Sequence, residues 1–150
     1  MIHRILVALD GSSRAPGVLA AAAEVAARFD AVLVPFRAVS IPPEFPPSAH
    51  VPHGDPLPKY LEDTARAELA ALATPLTVRR DPPVLGHGQP WRAILDAARE
   101  QGADLIVLGS HGYAGIDRVL GTTAARVVNL AARNVLVVHE SHESDVGSPR

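Results

Sequence analysis

Cysteine is absent from the 150-residue sequence, which excludes disulfide bonds, zinc–thiolate sites and cysteine nucleophiles. Lysine occurs once, at Lys59, far from any glycine-rich segment, so the lysine-containing phosphate loop of kinases and GTPases is also excluded. No apolar run reaches the roughly 18 residues of a transmembrane helix. The N-terminus lacks the charged, apolar and small-residue regions of a signal peptide. We therefore expect a cytoplasmic protein that does not contact a membrane.

Strong charge of either sign is also missing. The formal net charge is −2 and the sequence pI is about 6.4. The basic pair Arg79-Arg80 has no interleaved aromatic residues on which bases would stack, so no nucleic-acid partner is expected. Seven histidines are present, but none lies in an HExxH spacing or beside a fixed carboxylate, so no metal site is expected.

Hydrophobic residues make up 47% of the chain and fall into nine alternating segments. Short apolar strands alternating with amphipathic helices predict a parallel sheet covered by helices on both faces. The predicted strands are 3–9, 31–39, 76–86, 103–108 and 135–139, and the predicted helices are 16–29, 57–72, 90–101 and one that begins at Thr122 or Thr123. We expect one domain over 1–140 and a flexible tail over 141–150.

Three details of this pattern are specific enough to test. Helical spacing places Phe29 on the same buried face as Val18 and Ala26. Pro35 lies inside the second strand, where its missing N–H predicts a bulge. Residues 40–58 contain seven of the fourteen prolines, which predicts a long surface loop.

The strongest functional signal is the segment GSHGYAGIDRVLGTT over residues 109–123. It follows a buried strand and leads into a helix. Its glycines permit close approach of a ligand to the backbone, and the N-terminus of the following helix suits a phosphate group. The same residues are equally compatible with a tight turn in which a threonine caps the helix.

Several catalytic motifs are missing. The adjacent Ser110 and His111 have no GxSxG around them, and neighbouring side chains seldom face each other as a nucleophile and base must. Gly86-His87-Gly88 is too short for a dinucleotide fingerprint and is interpreted as a turn. We therefore assign no catalytic residues.

The segment VLGSHGYAGIDRVLGTTAARVV, followed by NVLVV, resembles the signature of the universal stress protein family, as does the opening ILVALDGS. The resemblance covers almost the whole chain. It implies a five-stranded parallel open sheet in a Rossmann-like three-layer α/β/α fold, with strand order 3-2-1-4-5. In that order the first and fourth strands are neighbours across the reversal, where ligands bind in such sheets.

The resemblance also implies a binding site for ATP, with or without Mg²⁺. Asp10 matches the acidic position near the adenosine, or else caps the following helix, and Ala38 matches the position whose backbone hydrogen-bonds the adenine. The positions that match the adenosine pocket and the ribose and phosphate cradle are Leu108, Gly109, Gly112, Gly121, Thr122 and Thr123. Arg118, inside the same loop, is a candidate donor to a phosphate, or else a partner of Asp117 or of solvent.

Three functions remain open at this point. The first is a regulatory module that binds an adenine nucleotide in a stress response, hydrolyses ATP slowly at most, and acts on a protein partner. Eight residues separate Gly112 from Gly121 where the family pattern has nine, so the second is a dimeric interaction protein of the same fold that binds no nucleotide. The third is an enzyme, either an ATPase or a hydrolase of an adenylated metabolite, that would use Asp10, His111 or Asp117 near the phosphates. For each, the resemblance implies a homodimer formed through the strand 135–139.

Overall fold

The computed structural model describes residues 1–110 and 120–139, which form an alternating series of strands and helices. The elements are β1 (Arg4–Ala8), α1 (Ala15–Phe29), β2 (Val32–Val39), α2 (Leu57–Ala73), β3 (Val84–His87), α3 (Pro90–Glu100), β4 (Leu105–Gly109), α4 (Thr122–Leu130) and β5 (Asn134–Val138). The strands form one parallel sheet in the order β3-β2-β1-β4-β5. The predicted fold class and strand order are confirmed.

The sheet separates two apolar cores, because successive side chains of a strand point to opposite faces. In β1, Ile5 and Val7 face a core shared with α1 and α2, whereas Leu6 faces a core shared with α3 and α4. All three side chains are fully buried. The near-continuous apolar composition of β1 and β4 follows from this burial on both faces.

Pro35 lies in regular pairing, so the predicted bulge is wrong. Residues of β2 pair with β1 without interruption, and Pro35 lies opposite Val7. The N–H of Leu33 donates to the carbonyl of Arg79 on the β3 side, and alternation directs the nitrogen of Pro35 to that same side. Pairing with β3 begins only at Phe36, so the missing donor of Pro35 faces a gap in the ladder.

The third strand is shorter than the predicted 76–86 and begins at Val84. Before it, Arg80 forms only an isolated bridge to Leu33. Pro82 and Pro83 lie between these two points, and neither can donate to a ladder. The sheet edge therefore forms only beyond the two prolines.

Phe29 is 48% exposed, so its predicted place on the buried face is wrong. Asp30 adopts a left-handed conformation with φ 53°, and the N–H of Ala31 donates to the carbonyl of Ala26. The chain therefore reverses direction beside Ala26, and the Phe29 side chain lies outside the apolar core. The loop predicted over 40–58 is confirmed over 40–56, which contains neither helix nor strand, and α2 begins at Leu57.

No helix within 1–110 or 120–139 is long and apolar enough to cross a membrane. The predicted tail over 141–150 lies outside the described residues.

Candidate functional site

A cleft of about 240 Å³ opens at the carboxyl ends of β1, β2 and β4. Its other walls are the first turns of α3 and α4. The lining residues are Ala8, Leu9, Asp10, Phe36, Ala38, Pro90, Ile94, Leu108, Gly109 and Thr123. The cleft lies where β1 and β4 meet across the reversal of strand order, the position at which open α/β sheets bind ligands.

Most of the cleft wall is apolar. Phe36 and Leu108 form its floor from the sheet, and Ile94 contributes a wall from α3. All three belong to the core between the sheet and the helices α3 and α4. An apolar slot with few polar groups at its rim suits a flat heterocycle with a polar substituent.

Asp10 is the one carboxylate that lines the cleft within the described part of the chain. Its Oδ1 accepts hydrogen bonds from the backbone N–H of Ser12 at 3.0 Å and from the Ser12 hydroxyl at 2.5 Å. These bonds fix the β1–α1 turn. The residue at the N-cap of α1 is Arg14, and no side chain caps that helix, so Asp10 does not act as its cap.

Gly109 ends β4 and lies between the sheet and α1. A Cβ atom at this position would lie 3.1 Å from Cγ2 of Val18. The glycine therefore permits close packing of α1, while its backbone lines the cleft.

Gly121 occupies the N-cap of α4 and no side chain caps the helix. Thr122 is the first residue of the helix and is exposed; Thr123 is half-buried and lines the cleft. The free N–H groups of the first turn and the positive end of the helix dipole lie on this side of the cleft.

The structure thus brings together Asp10, Ala38, Leu108, Gly109 and Thr123 among the residues predicted from the sequence. Gly121 and Thr122 lie at the adjacent helix N-terminus. Gly112 and Arg118 lie outside the described residues, as do His111 and Asp117.

Five lining residues were missed by the sequence analysis: Ala8, Leu9, Phe36, Pro90 and Ile94. Each occupies an ordinary apolar position within or next to its strand or helix. No sequence signal separates them from core residues, since only the three-dimensional arrangement shows that they border a cleft.

A second cavity, of about 470 Å³, lies on the other side of Gly109, between the start of α1 and the ends of β4 and β5. In it the Ser110 hydroxyl lies 3.0 Å from Nδ1 of His139. The N–H of Ser110 also donates to the carbonyl of Val138. Within 1–110 and 120–139, no group of three or more potential metal-ligating side chains is found.

The model of the universal stress protein family matches residues 1–139. The universal stress protein A homolog 1 of Coxiella burnetii is 31% identical over 135 residues, which cover 89% of this chain and 94% of that protein.

Two solved structures share the fold at lower identity. A universal stress protein in complex with cAMP is 23% identical, with a TM-score of 0.68 over 93% of this chain and 99% of the other. The universal stress protein from Archaeoglobus fulgidus in complex with dAMP is 22% identical, with a TM-score of 0.61 over 91% and 98% of the two chains.

Proposed function

Because the chain belongs to the universal stress protein family, we propose that it is a regulatory module that binds an adenine nucleotide, with ATP as the expected ligand. The observation that carries the proposal is the apolar cleft at the carboxyl ends of β1, β2 and β4, beside the N-terminus of α4. Two fold neighbours are in complex with cAMP and dAMP. Both of these ligands contain an adenine base, a sugar and a phosphate group.

In this proposal the adenine base lies between Phe36 and Ile94, above Ala38. The small side chain of Ala38 leaves the β2 backbone accessible to the edge of the base. The Asp10 carboxylate, held by Ser12, lies near the ribose. Apolar walls with one fixed carboxylate suit a neutral base joined to a sugar that carries hydroxyl groups.

The phosphates would extend toward α4. Backbone N–H groups of the first turn, together with the Thr122 and Thr123 hydroxyls, offer donors to phosphate oxygens. Any Mg²⁺ would be bound mainly through those oxygens, since Asp10 is the one carboxylate among the described residues of the cleft.

We assign the protein a binding role rather than rapid turnover. The described lining of the cleft contains no histidine, lysine or cysteine that would act as a base or nucleophile. Ligand binding would stabilise the loops around the cleft and change a surface that a protein partner reads.

A homodimer through β5 is part of this proposal. β5 lies at the sheet edge, and Leu136 is 37% exposed. The carbonyl of Val138 accepts a bond from Ser110 on the β4 side, so alternation directs the N–H groups of Val135 and Val137 outward. An unpaired apolar edge of this kind favours pairing with a second copy.

The first experiment is nucleotide analysis of the purified protein, followed by calorimetric titration of the ligand-free protein with ATP. We expect copurified adenine nucleotide, or micromolar affinity. Ala38→Phe, which fills the cleft, should abolish binding, whereas Ala38→Ser, the matched control, should retain it. Absence of nucleotide, together with no binding at millimolar ATP, would refute the proposal and favour an interaction protein of the same fold.

A further inference from the structure

Arg37 lies outside the cleft, on the opposite face of the sheet from its neighbours Phe36 and Ala38. Its backbone is in β2, and alternation directs its side chain toward α2. There Nη1 of Arg37 donates a hydrogen bond to Oε2 of Glu68. The Arg37 side chain is only 24% exposed, so it is held against the protein rather than extended into solvent.

The Arg37 guanidinium also lies against Gly11. A Cβ atom built on Gly11 would lie 2.8 Å from Nη2 and 3.4 Å from the guanidinium carbon. The φ angle of Gly11 is not in the left-handed region, so the glycine is not required by the backbone conformation. A side chain at this position would instead have to displace the Arg37 guanidinium.

Gly11 is the middle residue of the turn that Asp10 closes. Oδ1 of Asp10 accepts the N–H of Ser12 across it. Glu68 on α2, Arg37 on β2 and the turn at Gly11 are therefore in continuous contact, and the carboxylate of Asp10 is at the end of this series.

We propose that Arg37 is a positioning residue for the nucleotide cleft: its guanidinium braces the Asp10–Ser12 turn against Glu68 and thereby fixes the Asp10 carboxylate. This rests on the proposed nucleotide binding. In this proposal Arg37, on the face of the sheet opposite the cleft, controls nucleotide affinity through the Asp10–Ser12 turn. The proline-rich segment 40–56 leads directly into α2. A conformational change in that segment would therefore act on the cleft through Glu68, Arg37 and the Asp10–Ser12 turn.

The test is calorimetric titration with ATP of Arg37→Met, which keeps an unbranched apolar side chain and removes the guanidinium. We expect affinity to fall about three- to thirtyfold, the range for residues that act on a site without touching the ligand. Arg28→Met is the matched control, because Arg28 forms an exposed pair with Glu24 on the surface of α1. It should leave affinity unchanged.

A double-mutant cycle separates positioning from general destabilisation. If Arg37 acts through Asp10, Arg37→Met should cause no further loss of affinity in an Asp10→Ala background. Equal losses in both backgrounds would overturn the proposal.

The contact itself is tested without ligand, by chemical unfolding. Gly11→Ala should destabilise the wild-type protein, because the new methyl group displaces the guanidinium, and should have little effect in Arg37→Met. An equal effect in both backgrounds would show that Gly11 and Arg37 do not interact. If the wild-type protein binds no adenine nucleotide, the proposed function and the role of Arg37 both fail; if it binds and Arg37→Met binds equally well, only the role of Arg37 fails.

Discussion

Arg4 and Asp104 are joined by two hydrogen bonds, and the backbone N–H of each residue donates to the other residue. The N–H of Asp104 donates to the carbonyl of Arg4 at 2.8 Å, and the N–H of Arg4 donates to Oδ2 of Asp104 at 2.9 Å. The same carboxylate oxygen accepts the N–H of His3 at 2.8 Å. This contact lies one residue before β1 pairs with β4, so it aligns the two strands whose other ends form the cleft.

Asp104 should give the protein a pH-dependent stability. Hydrogen bonds from the backbone N–H groups of His3 and Arg4 lower the pKa of Asp104 below its ordinary value of 3.8. A carboxylate with a lowered folded-state pKa stabilises the protein fully above about pH 3.9, and this stabilisation is lost as pH falls through the folded-state pKa. We expect Asp104→Asn to reduce the free energy of unfolding by about 1 kcal/mol near neutral pH.

The measurement is urea unfolding of both proteins across the acid range. The difference between wild type and Asp104→Asn should narrow below about pH 3.9. Asp96→Asn is the control, since Asp96 pairs with Arg99 only at 3.4 Å on an exposed helix surface. A difference that stays constant down to about pH 3 would contradict the assignment of the effect to ionised Asp104.

Gly121→Val should weaken ATP binding about tenfold or more. Gly121 has φ −60° and ψ 161°, an extended conformation that valine adopts, so α4 should still form. The branched side chain would obstruct the helix N-terminus at which the phosphates are proposed to bind. Calorimetry measures the affinity, and circular dichroism checks the fold.

Gly121→Ser is the matched variant, because serine is small and a good N-cap. It should bind ATP with close to wild-type affinity. Equal ATP affinity for wild type and Gly121→Val would place the phosphates elsewhere.

Trp91 should report ligand binding by fluorescence. It is the only tryptophan of the chain and follows Pro90, which lines the cleft. Its ring lies 5.2 Å from the guanidinium carbon of Arg126, on the helix whose Thr123 lines the same cleft. We expect ATP to change the emission of Trp91 and Arg126→Gln to reduce that change.

Arg126→Gln should also lower the free energy of unfolding by about 0.5–1 kcal/mol, the usual size of an exposed cation–π contact. Arg92→Gln, an exposed neighbour on α3, serves as the control. An identical fluorescence response in wild type and Arg126→Gln would argue that the two helices do not act together at the cleft.

Leu136→Lys should convert the proposed dimer into a monomer. It introduces a charge on the exposed face of the edge strand, where pairing with a second copy would bring two such charges together. Sedimentation measures the assembly state. Phe29→Lys, which replaces another exposed apolar residue at the end of α1, should leave the dimer intact; a dimer that survives Leu136→Lys would exclude β5 as its interface.

Most of the fold was predictable because burial on both faces leaves a continuous apolar run, as in β4, and one apolar face marks a helix such as α1. The errors occur where a single residue depends on its neighbours in space. The regular pairing of Pro35 could be predicted only by knowing which neighbouring strand its nitrogen faces. The exposure of Phe29 could be predicted only by knowing where the chain reverses direction after α1. Ser110 was weighed with the adjacent His111, whereas the structure places it against His139, 29 residues away.

The candidate site was predictable only in part, for a related reason. Asp10, Gly109 and Gly121 lie at or next to the ends of regular elements and differ in type from the residues around them, so a pattern identifies them. Phe36 and Ile94 are apolar residues in apolar settings. Their place in the cleft depends on the packing of α3 beside β2, which no local pattern records.

The alternation of side chains along β2 separates two properties in a single strand. Phe36 and Ala38 face the cleft, and Arg37 between them faces α2. A substitution at one of these positions alters the shape available to a ligand, while a substitution at the intervening position alters how the ligand-facing turn is supported. The shape of the cleft and the support of the Asp10–Ser12 turn can therefore be altered separately, by substitutions at adjacent positions of one strand.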